Sequence, residues 1–376
     1  MKGNRLPLIL GAILVLAAAA LFLMPKEEKS EVALGDAKMK VGFLYLGTPG
    51  DHGWTYAHEM ARQKVQAHFG EKIETTFVEN VPEGPDAERV TRELANSGHD
   101  IIFGTSFGFM DPMLKVSKDF PDVKFEHITG YKRSANMATG NIRFYEGRYV
   151  QGIVAGMMTK TNKIGYIAPF PIPEAYQGLN AFAIGMREAN PDAEIMVIWA
   201  NTWEDPVKEA DAAKVLVAQG ADVMAQHTDT PAMLQIAEKA GLHGFGQASD
   251  MKKFAPNAQL FSSVNDWSHY YIEKIQQVMD GTWSTGEGPD HWAGNTWKGM
   301  ADDYLVLSPF ENMPADVKAA AEKAAAKVEG GYNIFTGPIK DNKGNVVVKA
   351  GEALNDGTLW SDIFFYAEGI QGEMPG

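Results

Sequence analysis

The chain has 376 residues, of which 45% are hydrophobic, and this is enough for about two globular domains with sizeable cores. Its formal net charge of −14 argues against nucleic acid as a partner, because phosphate binding requires clusters of lysine and arginine and no basic run follows Arg5. The absence of cysteine excludes disulfides, thiolate nucleophiles, zinc ribbons and a lipid-modified N-terminal cysteine.

The first 30 residues have the pattern of a targeting segment. Lys2 and Arg5 precede an apolar run, Leu6–Met24, that is followed by a charged stretch. The run is close to the roughly 20 residues that span a bilayer, whereas the small residues of Ala17–Ala20 suit a cleavage site. The pattern predicts either a signal peptide or an uncleaved anchor, and in both cases the remainder of the chain is exported.

Strands and helices are expected to alternate through the first half of the chain. Short apolar segments rich in β-branched and aromatic residues predict buried strands at Lys40–Leu46, Ile73–Glu79, Asp100–Thr105 and Val123–Thr129. The segments between them predict helices at Gly53–Phe69, Asp86–Ser97 and Met110–Phe120. Pro85 and Gly98 flank the second helix as start and stop signals.

The same alternation recurs in the second half. Strands are predicted at Lys163–Ala168, Glu194–Ala200, Ala221–Gln226 and Leu242–Gln247, and helices at Glu174–Ala189, Val207–Gln219 and Pro231–Ala240. Two such series indicate an α/β protein with two doubly wound parallel-sheet lobes. Open α/β sheets bind ligands outside the carboxyl ends of their strands, so we expect the ligand in the cleft between the lobes.

The rest of the chain is predicted to return to both lobes and to form a multi-strand hinge. A strand is predicted at Gln259–Val264, a helix at Trp267–Met279 and an Ala/Lys/Glu-rich surface helix at Met313–Val328. A turn-rich hairpin is predicted at Gly337–Gly344, before Asn345–Lys349. We place residues 38–142 plus 266–308 in the N-terminal lobe. Residues 143–265 plus 309–376 are placed in the C-terminal lobe.

A matched pair of tryptophan loops is the strongest functional signal. Trp54 ends Gly50-Asp51-His52-Gly53-Trp54, and Trp203 lies in Asn201-Thr202-Trp203-Glu204-Asp205-Pro206. Each loop follows a strand and opens a helix in a different half, which puts one indole on each side of a cleft and suits a flat ligand. Phe107 stands where a phosphate would approach in a dinucleotide site, and it suits an aromatic ligand better. Each ring by itself could instead be a packing residue.

Three aspartates, Asp51, Asp229 and Asp250, follow predicted strands. Aspartate in such a loop often caps the next helix. If the carboxylate points into the cleft instead, it can accept hydrogen bonds from the amino and ring N–H groups of a heterocycle. Together with stacking on indoles, which contributes ~1–3 kcal/mol per base–aromatic contact, this chemistry matches a nucleobase.

Signals for catalysis, metals and cofactors are weak. Asp51-His52 and His227-Thr228-Asp229 put an imidazole beside a carboxylate, but no G-x-S-x-G, H-E-x-x-H or G-x-x-x-x-G-K-[ST] pattern accompanies them. The nine histidines are scattered. We therefore expect no catalytic residue, no metal and no cofactor. A nucleoside hydrolase that uses Asp51 or Asp229 as a base or metal ligand is the enzymatic alternative.

Several segments are similar to the basic-membrane-protein family, the purine-binding receptors of ABC importers. The segments that carry the resemblance are Lys40–Leu46 with Gly50–Trp54, Phe144–Gly152, Asn201–Pro206, Ile334–Asp341 and Gly357–Trp360. Together they extend over about residues 40–370. Each piece is short, but the combination is specific.

The resemblance implies a type I periplasmic-binding-protein fold that closes on a purine. In the family two aromatic residues sandwich the base, and these fall on Trp54 and Trp203, while the aspartate of the first loop falls on Asp51. The resemblance also implies an ABC permease in the inner membrane as partner, a periplasmic location and binding without turnover. We expect a monomer.

One departure from the family bears on the ligand. Members that bind nucleosides carry a G-x-D-x-D pattern near the ribose, where this chain has Gly246-Gln247-Ala248-Ser249-Asp250. Because Ala248 cannot accept a ribose hydroxyl, the resemblance favours a free base such as adenine over a nucleoside. A purine sensor tethered by Leu6–Met24 is the remaining alternative.

Overall fold

The structure is a computed structural model that describes residues 38–286 and 296–375. Its strands are Met39–Leu44 (β1), Ile73–Val78 (β2), Ile101–Gly104 (β3), Lys124–Ile128 (β4), Met137–Ile142 (β5), Lys163–Ala168 (β6), Glu194–Trp199 (β7), Val223–Gln226 (β8), His243–Ala248 (β9), Gln259–Asn265 (β10), Thr296–Lys298 (β11), Leu305–Leu307 (β12), Ile339–Lys340 (β13) and Val346–Val348 (β14). Its α-helices are Trp54–Phe69 (α1), Pro85–Asn96 (α2), Met110–Ser117 (α3), Phe144–Met158 (α4), Pro173–Ala189 (α5), Pro206–Ala218 (α6), Ala232–Ala240 (α7), Ser268–Met279 (α8), Ala315–Glu329 (α9) and Asp356–Ser361 (α10). The predicted targeting segment, residues 1–30, lies outside the described residues.

The strands form two six-stranded sheets and a small hairpin. The first sheet has the order β11-β5-β4-β3-β1-β2, with every neighbouring pair parallel. The second has the order β12-β10-β9-β8-β6-β7 and is parallel except for the edge strand β12. Strands β13 and β14 pair separately as an antiparallel hairpin. This topology confirms the predicted α/β fold with two doubly wound sheets.

Central strands of both sheets are buried because helices cover both faces of each sheet. Strands β3, β5 and β8 are buried at every residue. Phe43 on β1 pairs in register with Phe103 on β3, and their rings stack with centroids 5.1 Å apart. Such pairs stabilise one register of the parallel strands, so the loops that follow the strands lie at the same edge of the sheet.

The chain passes between the two sheets after Ile142, after Asn265 and after Lys298. The predicted boundary at residue 308 would assign β12 to the first lobe. In the structure β12 pairs with β10 of the second sheet, with Leu307 opposite Ser263, so this crossing lies earlier in the chain.

Helix α4 packs chiefly against α5 and is buried on all sides from Phe144 to Gly156, apart from Glu146. It was not predicted as a separate element, because a helix buried all round shows no apolar stripe. Among the described residues, no helix combines the length and apolar composition that crossing a bilayer requires.

Candidate ligand-binding site

The strand order of each sheet creates one opening at the carboxyl edge. In the first sheet β2 and β3 lie on opposite sides of β1, so the chain leaving β1 and the chain leaving β3 diverge. In the second sheet β7 and β8 flank β6 in the same way. Such switch points are where open α/β sheets leave a crevice.

A cavity of about 330 Å³ lies where the two openings face each other. From the first lobe it is lined by residues that follow β1, β3 and β4: Leu46, Trp54, Ser106, Phe107 and Thr129. From the second lobe it is lined by residues in or after β6, β7, β8 and β9: Glu174, Trp203, His227, Asp229 and Gln247.

Trp54 is the first residue of α1, and its indole is fixed by a hydrogen bond and by contacts with two buried rings. Its Nε1 donates to the carbonyl oxygen of Thr105 over 2.7 Å, which ties α1 to the loop after β3. The buried Trp267 and His58 meet the indole edge-on, with ring centroids 5.5 and 4.5 Å away. The ring therefore enters the cavity wall in one orientation, as a stacking surface requires.

Trp203 lines the cavity from the opposite lobe, in the loop after β7. Its ring lies 5.4 Å from that of Phe170 and 6.4 Å from that of His227. Its carbonyl oxygen accepts a hydrogen bond from the Asp229 N–H over 3.0 Å, which couples this loop to the loop after β8. Phe107 also lines the cavity, with its ring 6.3 Å from that of Tyr131.

Of the three aspartates predicted to face the ligand, Asp229 is the one that lines the cavity. Only 5% of it is exposed, and none of the described residues donates a hydrogen bond to its carboxyl group. Burial raises the pKa of Asp229 well above its ordinary value, and the neighbouring carboxylates of Asp51 and Glu209 raise it further. A carboxyl group so placed is stabilised when a ligand supplies N–H donors.

Asp51 and Asp250 do not line the cavity, and Asp51 follows the helix-cap interpretation. The Asp51 carboxylate accepts from the backbone N–H groups of Gly53 (2.9 Å), Thr55 (2.7 Å) and Tyr56 (2.9 Å), so it caps the start of α1. Asp250 is exposed, and its carboxylate accepts from the Lys252 N–H over 3.1 Å and from Gln259 Nε2 over 2.7 Å. The prediction that these two side chains face the ligand has no support in this geometry.

Neither adjacent Asp–His pair forms a dyad. His227 Nε2 lies 3.4 Å from Oε1 of Glu174, a residue that the sequence did not single out, and not against Asp229. Burial lowers the pKa of His227, so its imidazole is neutral at neutral pH. Asn141 from the first lobe donates to the other oxygen of Glu174 over 3.2 Å. Among the described residues, no group of acidic and histidine side chains could hold a metal ion.

Several contacts join the lobes directly over the cavity, so the cleft is closed. A Cβ atom at Gly53 would lie 1.9 Å from the carbonyl oxygen of Asp229, which shows how closely the two backbones meet. Ser249 Oγ donates to the carbonyl oxygen of His52, and the His52 ring lies 4.7 Å from that of Phe254. Closure of two lobes around a cavity is the behaviour of a hinged binding protein.

A family model described as ABC transporter substrate-binding protein PnrA-like matches residues 38–354. The chain belongs to this family. Membership confirms the resemblance to basic-membrane-protein receptors and makes the chain a substrate-binding protein of an ABC transporter, not an enzyme. It is therefore extracytoplasmic by class.

Individual relatives agree with this assignment. The chain is 50% identical to a purine-binding protein of Brucella abortus, over 91% of this chain and 96% of that protein. It is 36% identical to a proposed glucose-binding protein of an ABC transporter from Haloferax volcanii, over 90% of this chain and 81% of that protein. A solute-binding protein from Aeropyrum pernix has the same fold, with a TM-score of 0.68, 18% identity, and coverage of 81% of this chain and 93% of that one.

Proposed function

We propose that this substrate-binding protein is a periplasmic receptor that binds a purine, with adenine as the preferred ligand, and delivers it to an ABC permease. The observation that carries the proposal is the placement of Trp54 and Trp203 on one closed cavity from opposite lobes. A base held between them would contact both lobes at once, so binding would drive closure. The purine-binding relative at 50% identity supports the same ligand class.

The polar groups of the cavity complement a base. The carboxyl groups of Asp229 and Glu174 can accept hydrogen bonds from amino and ring N–H groups. Ala248 is fully buried and does not line the cavity, so it offers a ribose no partner. The proposed contacts are therefore made by Trp54, Phe107, Trp203 and Asp229.

Calorimetric titration of the purified protein with adenine, adenosine, guanosine, ribose and glucose tests the proposal. We expect one molecule of adenine to bind tightly and reversibly, with weaker binding of the nucleosides and none of either sugar. Tight binding of glucose without adenine would instead assign the chain the ligand named for the Haloferax volcanii protein. A preference for nucleosides would show that residues other than Ala248 hold the ribose.

Removal of the Asp229 carboxyl group is expected to weaken adenine binding. Asp229→Ala deletes a buried acceptor that faces the ligand, which should cost about tenfold in Kd. Asp250→Ala is the matched control, because it removes an exposed carboxylate after the neighbouring strand β9. We expect the Kd for adenine to change by less than about twofold in this control, as is usual for a surface substitution. Equal effects in the two variants would contradict the assignment of Asp229.

Adenine affinity is expected to fall as pH rises, because closure brings Glu204 against Gly47 and close to Asp51. Burial and the Asp51 charge raise the pKa of Glu204 from 4.5 to about 7 in the closed form. Because Glu204 has the higher pKa in the closed form, that form binds more protons than the open one. The closed form is therefore fully stable below about pH 4.5, loses stability as pH rises, and loses no more above about pH 7. We expect about a fivefold loss of affinity from pH 5 to pH 8, discounted for partial exposure. Titrations of wild type and Glu204→Gln check this, since the variant should show a flatter profile.

A further inference from the structure

Arg148 is a buried arginine that forms no ion pair with a carboxylate among the described residues. It lies in α4 with 1% of its surface exposed. Its Nη1 donates to Oε1 of Gln151 over 3.0 Å, and its Nη2 donates to Oε1 of Gln247. Burying a guanidinium against neutral amides costs stability, so this arrangement requires an explanation other than stability.

The guanidinium determines which way the Gln247 amide points. Arginine has five donors and no acceptor, so only the oxygen of the amide can face it. The NH2 group of Gln247 must then point away from Arg148. Gln247 is 3% exposed and lines the cavity, and none of the described residues accepts a hydrogen bond from its Nε2. A buried donor is thus directed at the ligand space.

We propose that Arg148 is a positioning residue that holds the Gln247 amide with its NH2 group facing the cavity, where it donates to an unprotonated ring nitrogen of the bound purine. The inference rests on the proposed purine binding and adds a specificity-determining contact to it. The carboxyl groups of Asp229 and Glu174 accept hydrogen bonds when they are ionised, whereas the NH2 group of Gln247 is a donor at every pH. The cavity therefore selects a heterocycle that has N–H donors and also a free ring lone pair.

A ring nitrogen is required as the partner because unprotonated ring nitrogens are the only acceptors that adenine has. The base carries an amino donor and unprotonated ring nitrogens, and no carbonyl group. A ligand with C–H in place of the paired nitrogen would leave the Gln247 donor buried and unsatisfied. A site built around a hydrogen-bonding partner rejects the analogue that lacks it.

The test is titration of the full chain with adenine and with its 1-deaza, 3-deaza and 7-deaza analogues, each of which replaces one ring nitrogen by C–H. In wild type we expect one analogue to bind about tenfold or more weakly than adenine. Gln247→Glu keeps an oxygen for Arg148, gains an ion pair and removes the donor. In this variant the affinity for adenine should fall, and the ratio of the affinities for adenine and for that analogue should shrink to about twofold.

Gln151→Glu is the matched control. It makes the same chemical change against the same guanidinium, but Gln151 does not line the cavity, so the analogue penalty should stay as in wild type. Arg148→Met frees the amide to rotate and should reduce the penalty to a few-fold; a purely structural role would lower thermal stability and leave the penalty unchanged. An analogue penalty that is equal in wild type and Gln247→Glu would overturn the inference while purine binding stands. Failure of wild type to bind any purine would overturn both.

Discussion

Gly53→Ala is expected to reduce adenine affinity by roughly a hundredfold, because it prevents the lobes from closing. The new Cβ atom would lie 1.9 Å from the carbonyl oxygen of Asp229 and 2.7 Å from its carbonyl carbon, and both are backbone atoms that cannot rotate away. The lobes must then stay apart, and a ligand could contact only one of them. Calorimetry gives the affinity, and small-angle scattering with and without adenine reports whether the molecule becomes more compact.

Gly50→Ala is the control for this prediction. It lies in the same loop, but its Cβ atom would meet only the Thr48 hydroxyl, at 3.3 Å, so closure should be unaffected. Thermal unfolding of both variants separates blocked closure from loss of the fold. Wild-type affinity and ligand-induced compaction in Gly53→Ala would show that the close approach to Asp229 is not needed for binding.

The second large effect is expected from the indoles. Trp54→Ala and Trp203→Ala each remove one proposed stacking surface, and base–aromatic stacking contributes ~1–3 kcal/mol per contact, which is about 5- to 150-fold in Kd. The two faces come from different lobes, so each variant should also weaken the coupling between binding and closure. Calorimetric titration with adenine measures both losses.

Trp199→Ala is the matched control for the indole variants. Trp199 lies on β7, four residues before Trp203, and its Nε1 donates to the Tyr366 hydroxyl over 2.7 Å, outside the cavity. We expect this variant to unfold at a lower temperature while its adenine affinity stays within about twofold. If both cavity indoles can be removed without loss of affinity, they are packing residues and the ligand is held in another way.

The order of strands and helices could be predicted because each element carries its own local signal. Strand β6 was predicted to the residue, and helix α2, bounded by Pro85 and Gly98, to within one residue. Strand β5 and helix α4 were missed as elements. Strand β5 was missed because Thr139, Gly140 and Asn141 interrupt the apolar run by which the other buried strands were predicted. Helix α4 was missed because it is buried on nearly every side and so has no polar face from which a period of 3.6 is recognised.

The candidate site was predictable only in part. Trp54, Phe107, Trp203 and Asp229 were selected because they follow strands in the predicted topology, and all of them line the cavity. Asp51 and Asp250 were selected on the same grounds and do not line it. An aspartate after a strand can cap the next helix or face the cleft, and the direction of a single side chain decides between them.

The sequence by itself determined the class of this protein. The alternation of apolar runs and helical segments specified two doubly wound sheets, and the short motifs placed the chain in a family of ABC transporter substrate-binding proteins. Both signals are local, since each depends on residues that are neighbours in the chain. Signals of this kind can be recognised without knowing how the chain folds.

Only the tertiary structure decided which side chains surround the cavity and how they are oriented. Glu174, His227 and Gln247 come from three separate segments and meet because parallel strands end at a common edge. Arg148 reaches Gln247 across 99 positions of the chain and dictates the direction of its amide. Contacts at that separation leave no periodic pattern in the sequence, because they arise from the packing of α4 beneath the sheet and not from any neighbour in the chain.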